Sequence, residues 1–169
     1  MSGAGEMLRR LPAWSVLPLF IAITLGVGFL GAQVSAPEIP TWYAQLKKPA
    51  LTPPSWVFGP VWTSLYLMMA VAGWLVWRTP SEDKPREAAL RAYWIQLALH
   101  VTWPLIFFHA KDPGWAFVEI LFLIAALLIT MLRFAFFSMR AAALLLPDLA
   151  WITYATYLTL RIWQLNPRA

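Results

Sequence analysis

Five stretches of this chain are apolar over the length needed to cross a lipid bilayer: about Leu11 to Val34, Ser55 to Trp77, Ala88 to Phe108, Pro113 to Phe137 and Ala141 to Trp163. A transmembrane helix takes roughly 20 mainly apolar residues. Inside hydrocarbon every backbone N–H and C=O needs a partner within the protein, which leaves helices and closed β-barrels as spanning structures. Barrel strands alternate apolar and polar residues in segments of about 10. The run "EILFLIAALLIT" does not alternate, so the expectation is an all-α integral membrane protein, a five-helix transmembrane bundle. It is expected to form a single domain over residues 1–169, because no segment between the runs has room for a second one. Composition agrees: 60% of residues are hydrophobic and 12% charged, against about 45–50% and about 25% in soluble domains.

The net charge of +5 would suggest nucleic acid in a soluble chain. Here the bases sit at the ends of the apolar runs, where they meet lipid head groups. No basic block interleaved with aromatics lies outside the runs, which removes the footprint that nucleic-acid binding needs. With no cysteine there is no disulfide and no thiolate metal site. A cleaved signal peptide is not expected, since the first run is longer than a signal h-region. Five spans put the termini on opposite sides. The N-terminal side then carries Arg9, Arg10, Arg78, Lys84, Arg86, Arg91, Arg133 and Arg140; the other carries Lys47, Lys48, Lys111, Arg161 and Arg168. The positive-inside rule gives a cytoplasmic N-terminus, provided the membrane is one to which the rule applies. A multi-pass location in a bacterial membrane or the mitochondrial outer membrane fits equally.

Punctuation between the runs is uneven. "RTPSEDKPRE", "HAKDPG" and "SMR" are ordinary polar turns. The first connection, about residues 35–54, is longer, and it holds "WYAQLKKPALTPP". Long connections in compact proteins are usually functional or disordered. Trp42, Tyr43 and the stiffening prolines argue against disorder, so this loop is expected to cover something. Gly26, Gly28 and Gly31 match G-x-G-x-x-G, but a dinucleotide fingerprint needs a strand before it. Within an apolar run, Gly28 and Ala32 read instead as a small-xxx-small helix contact. Pro18, Pro104 and Pro147 are expected inside helices, where each removes a backbone donor. That would leave the carbonyls of His100 and Ala143 without their usual partners.

Helical spacing gathers the unusual residues into one stripe per run. These are Trp62, Tyr66, Met69 and Gly73; Gln96, His100, Trp103 and Phe107; Trp115, Glu119, Phe122 and Ala126; and Asp148, Trp151, Ala155 and Thr159. Lipid-facing positions have no use for Gln, His, Glu or Asp, so these faces are expected to point into the bundle or a cavity. Trp14, Trp77, Trp94 and Trp163 lie at run ends and fit an interfacial belt. Trp62 and Trp151 share stripes with polar groups, so packing and a pocket role both remain open. Glu119 is expected either to line a pocket or to pair with a base or an indole N–H. Asp148, two turns into its run, is expected either in a pocket or in an ion pair with Arg133 or Arg140. No nucleophile–base motif, H-E-x-x-H or P-loop is present. His100 and His109 cannot share a helix face, which disfavours a two-histidine metal site.

Three segments together, "WYAQLKKPALTPPSWVFGPVWTSLY", "QLALHVTWPLIFF" and "PDLAWITYATYLTLRIWQLN", resemble the translocator proteins, also called tryptophan-rich sensory proteins or peripheral benzodiazepine receptors. The resemblance runs from about Pro12 to Asn166. It implies a five-helix bundle, usually homodimeric, with a pocket opening toward the first loop. That pocket binds tetrapyrroles such as protoporphyrin IX or haem, and in animals cholesterol and isoquinoline or benzodiazepine-type drugs. The roles implied are porphyrin transport, stress sensing and light-dependent porphyrin breakdown. No resident cofactor and no dedicated enzyme activity is implied beyond that photochemistry, for which Trp62 and Trp151 would supply the oxidisable indoles.

The resemblance also assigns residues. Trp42 and Tyr43 match the loop "WY", Trp62 and Trp151 the two pocket tryptophans, and Ala155 the small residue at which ligand affinity varies. The first loop becomes a lid, and Lys47 or Lys48 would meet porphyrin carboxylates. Tyr66, Trp103, Phe107, Glu119 and Asp148 complete the expected ligand-binding set. The sequence departs from the family at Leu51 (tryptophan), His100 (asparagine), Asp148 (tyrosine), Thr159 (asparagine) and Leu160 (the tyrosine of the cholesterol motif). These departures weigh against sterol and animal-type drug binding. His100 adds a reading of its own, because a neutral imidazole on the pocket stripe is either hydrogen-bonded across the bundle or an axial ligand to haem iron.

Overall fold

The structure, a computed structural model, describes residues 13–80 and 83–167. Arg9, Arg10 and Arg168, used above for orientation, lie outside them. A 3-10 turn, Ala13–Val16, leads into α1 (Leu17–Ser35). The first loop holds one helical turn, α2 (Trp42–Gln45), and a 3-10 turn, Ser55–Val57. Then follow α3 (Phe58–Arg78), α4 (Asp83–Pro104), a π-helical turn (Leu105–His109), α5 (Pro113–Ala135), α6 (Met139–Ala143) and α7 (Leu146–Leu165). Among the described residues there is no strand. Four segments of the described residues are long and apolar enough to cross a membrane: Trp14–Ser35, Ser55–Arg78, Pro113–Ala135 and Met139–Leu165. The helix expected from Ala88 forms as α4, but Arg86, Glu87, Arg91, Gln96 and His100 keep it below that apolarity.

Proline placement differs from expectation at two of three positions. Pro18 and Pro147 sit in the first turns of α1 and α7, where an N–H would lack a helical partner anyway. The fifth apolar run is therefore two helices, α6 and α7, broken at Leu144 and Leu145. Asp148 consequently lies in the first turn of α7 rather than two turns inside it. Pro104 is inside its helix as expected. The chain answers its missing donor by widening into the π-helical turn, in which Ala110 N–H reaches back to the Leu105 carbonyl at 2.9 Å.

Small residues set the helix contacts. A Cβ on Gly28 would come within 2.5 Å of the Tyr66 ring, and one on Gly73 within 3.1 Å of Phe20 and Tyr93. Thus α1 lies directly on α3, and α4 closes over both. The Thr24 hydroxyl meets the Tyr93 phenol at 2.7 Å in this buried layer, a polar contact whose groups would otherwise be costly in lipid. On the other side α5 packs against α4 and α7, burying Ala116, Ile120, Leu123, Leu127 and Phe134. This corrects the expected stripe on that helix. Glu119 is buried, but Trp115 and Phe122 are 66% and 65% exposed, so they face outward as lipid-facing aromatics.

The first loop is ordered by packing and by hydrogen bonds to the far end of the chain. Trp42 and Tyr43 set their rings edge-on to Phe107 at 5.6 and 6.2 Å, so α2 rests on the π-helical turn. The Asn166 side chain accepts from Lys47 N–H at 3.0 Å and donates to the Lys47 carbonyl at 2.9 Å and the Ile162 carbonyl at 2.8 Å. The Tyr154 hydroxyl donates to the Leu51 carbonyl. Lys111 and Glu38 pair at 3.1 Å, partly exposed, so the contribution is small.

Candidate functional site

Below the first loop, α3 and α7 meet through their rings. Trp62 and Trp151 stand perpendicular at 6.4 Å, and Phe58 is edge-on to Trp151 at 6.0 Å. These bulky spacers leave a cavity of about 450 Å³ among α1, α3, α4, α5 and α7, roofed by Tyr43. That volume lies in the ordinary range for small-molecule sites, about 300–1,000 Å³. Its walls are mostly apolar. Of the predicted site residues, Tyr43, Trp62, Tyr66, His100, Trp103, Phe107, Trp151 and Ala155 line it. Exposed lining residues, Phe29 and Ala32 on α1 and Gly59 and Thr63 on α3, mark its open side.

Four predicted residues do not line the cavity. Trp42 stands behind Phe107 and Phe108. Lys47 is exposed on the loop. Its neighbour Lys48 lies over the Tyr43 ring at 4.6 Å, with Nζ donating to the Ala44 and Leu46 carbonyls. Glu119 lies beside the lining residue Ile120, and neither of its carboxylate oxygens has a hydrogen-bond partner among the described residues. The expected pairing of Glu119 with a base or indole is therefore absent; the Trp103 indole N–H is unpartnered too. Asp148 sits behind His100. Its expected partners Arg133 and Arg140 are replaced by that imidazole, because the first turn of α7 aims the carboxylate at α4.

The His100–Asp148 pair defines the polar end of the site. His100 Nδ1 is 2.9 Å from the Gln96 carbonyl, an oxygen that can only accept, so Nδ1 carries a proton and donates. Nε2 lies 3.4 and 3.3 Å from the two Asp148 oxygens, aligned for a hydrogen bond with Oδ1. Both side chains are fully buried. Trp62 and Tyr66 present their rings edge-on to the imidazole at 5.9 Å each. Neither ring nitrogen is free to face the cavity, which counts against the axial haem-ligand reading of His100. Among the described residues no group of three or more His, Cys, Asp or Glu could hold a metal. Outside the spans, burial pushes the Tyr43 phenol above its ordinary value, with Tyr154 adding to the shift.

The sequence reading missed the contribution of α1. Leu25, Gly28, Phe29 and Ala32 line the cavity, and the signal for them was the Gly28–Ala32 spacing, read only as packing. Phe58 and Gly59, at the start of α3, were missed as well. With mostly apolar walls and a buried imidazole–carboxylate pair at one end, the arrangement is suited to binding an apolar ligand.

Comparison with known proteins gives a consistent picture. Residues 20–164 match the model of the TspO/MBR family. The translocator protein of Ovis aries is 38% identical over 156 residues, 92% of each chain. The tryptophan-rich protein TspO of Archaeoglobus fulgidus is 35% identical over 146 residues, 86% of this chain and 94% of that one. The tryptophan-rich sensory protein of Cereibacter sphaeroides is 32% identical over 153 residues, 90% of this chain and 92% of that one.

Proposed function

The chain belongs to the TspO/MBR family, and from this premise we propose that it is a five-helix transmembrane receptor or carrier whose cavity binds a tetrapyrrole, protoporphyrin IX or haem. In this reading α4 is the fifth span, sheltered by α1 and α5 despite its polar residues, and the first loop is the lid. Assembly as a homodimer belongs to the same reading through the family resemblance. The observation that carries it is the aromatic cavity itself. A porphyrin is a flat apolar disc with carboxylates on one edge. Trp62, Tyr66, Trp103, Phe107 and Trp151 offer ring contacts worth about 0.5–1.5 kcal/mol per pair beyond burial. Lys47, exposed on the loop, is the cation assigned to a carboxylate at the open edge. Relatives named for translocation and sensing support a handling or sensing role in the membrane.

Titration with protoporphyrin IX and haem in darkness tests this reading. Binding of both with similar affinity is expected, since the His100 nitrogens are already engaged. Absence of saturable binding of either would refute it. The pair of indoles at 6.4 Å in the cavity favours a second reading, light-dependent porphyrin breakdown. It predicts loss of bound porphyrin absorbance under illumination, slowed in Trp62→Phe/Trp151→Phe.

A further inference from the structure

On the outer face of the bundle, away from the aromatic cavity, a second groove of about 420 Å³ runs between α4 and α5. Its floor is made of small side chains, Ala88 and Ala92 from α4 and Ala126 from α5, which open a furrow between two otherwise closely packed helices. Ile95 and Ile129 extend it toward the middle of the bundle. Arg91 and Arg133 also line it. Because the helices are antiparallel, the first half of α4 and the last turn of α5 bring both guanidinium groups to one end.

Neither arginine has an ion-pair or hydrogen-bond partner among the described residues, and both are exposed. No acidic residue lines the groove. Glu87, the nearest carboxylate along α4, pairs with neither. Unpaired charge near hydrocarbon is unfavourable, and long basic side chains answer it by reaching into the head-group layer. The occupant must therefore bring anionic charge at one end and an apolar tail for the furrow.

We propose that this groove is a site for a single anionic phospholipid, its phosphate bridging Arg91 and Arg133 and one acyl chain lying on Ala88, Ala92 and Ala126. A planar guanidinium binds phosphate oxygens through two parallel hydrogen bonds, so two of them hold a phosphate from two sides. The same end of the chain carries Arg78, Lys84, Arg86 and Arg140, a field that concentrates anionic lipid there. A second copy of the chain is the poorer occupant. A two-fold contact centred on the groove would set its arginines against their own images with no carboxylate between them.

The test reconstitutes the full chain in nanodiscs containing equal phosphatidylcholine and phosphatidylglycerol, then counts retained lipids by native mass spectrometry. One phosphatidylglycerol per chain should survive, with phosphatidylcholine lost. Arg91→Gln/Arg133→Gln should lower its retention about tenfold or more, while Arg91→Lys/Arg133→Lys should fall in between. Ala92→Phe, which fills the furrow and keeps both charges, should also lower it. Helical circular dichroism and protoporphyrin IX titration report whether each variant is folded. Equal retention of the two lipids, unchanged retention in the glutamine variant, or loss of a dimer instead of a lipid in that variant would each overturn the proposal.

Discussion

Removing one member of the His100–Asp148 pair should cost far more than removing both. The two side chains are fully buried with 3.3–3.4 Å separations, longer than the roughly 2.7–2.9 Å of a strong charge-assisted bond. Breaking a buried pair leaves an uncompensated group and costs about 3–5 kcal/mol, whereas replacing both partners with apolar groups of similar volume is often neutral or better. The long contact places the single variants at the lower end. Asp148→Leu and His100→Phe are each expected to lose about 3 kcal/mol of stability. Asp148→Leu carries up to about 1 kcal/mol more, because the carboxylate sits in the first turn of α7, at the favourable end of the helix dipole. The double variant should return to within about 1 kcal/mol of the parent. Reversible unfolding in mixed detergent micelles, followed by circular dichroism, measures all four corners of the cycle. If the two single losses simply add in the double variant, the groups are not coupled and the polar end of the site is misassigned.

Two further outcomes follow from packing and from the loop. Gly28→Ala puts a Cβ 2.5 Å from the buried Tyr66 ring, so overpacking of about 1–3 kcal/mol should outweigh a helix-propensity gain of about 1 kcal/mol. Gly26→Ala, whose Cβ would meet nothing within 4 Å, should be neutral or stabilising, and equal effects of the two in micelle unfolding would count against the α1–α3 contact. Asn166→Ala frees both backbone groups of Lys47. At about 1 kcal/mol for each of these two hydrogen bonds, amide exchange in the 46–51 segment should accelerate about thirtyfold; unchanged protection by hydrogen-exchange mass spectrometry would show that the loop is held by packing alone.

The stripes on α3 and α4 were legible because aromatic, polar and small residues recur there at helical spacing. Tyr66, Met69 and Gly73 are buried, as are Gln96, His100 and Phe107. On α5 the same logic failed at Trp115 and Phe122. In a membrane helix the lipid face and the core face are both apolar, so an aromatic residue does not mark the inside, and only the neighbouring Ala116, Ile120 and Leu123 reveal which side is packed. The break at Leu144 and Leu145 has no glycine or polar residue to announce it, which is why Pro147 was expected inside a helix and Asp148 two turns into one. The partner of Asp148 depends on how α4 and α7 face one another, information that no local spacing contains. The Asn166–Lys47 contact joins positions 119 residues apart and was invisible for the same reason.

The central claim, that a tetrapyrrole occupies the cavity beneath the first loop, is tested most directly by blocking that cavity. Ala155 lines it on α7, and Ala155→Phe would place a ring in the space a porphyrin needs. Quenching of tryptophan fluorescence by protoporphyrin IX, titrated in darkness, should saturate at one ligand per chain in the parent. In Ala155→Phe the affinity should fall by about tenfold or more, about 1.4 kcal/mol, with an unchanged helical spectrum. Equal affinity in the two proteins would place the porphyrin elsewhere and contradict the account.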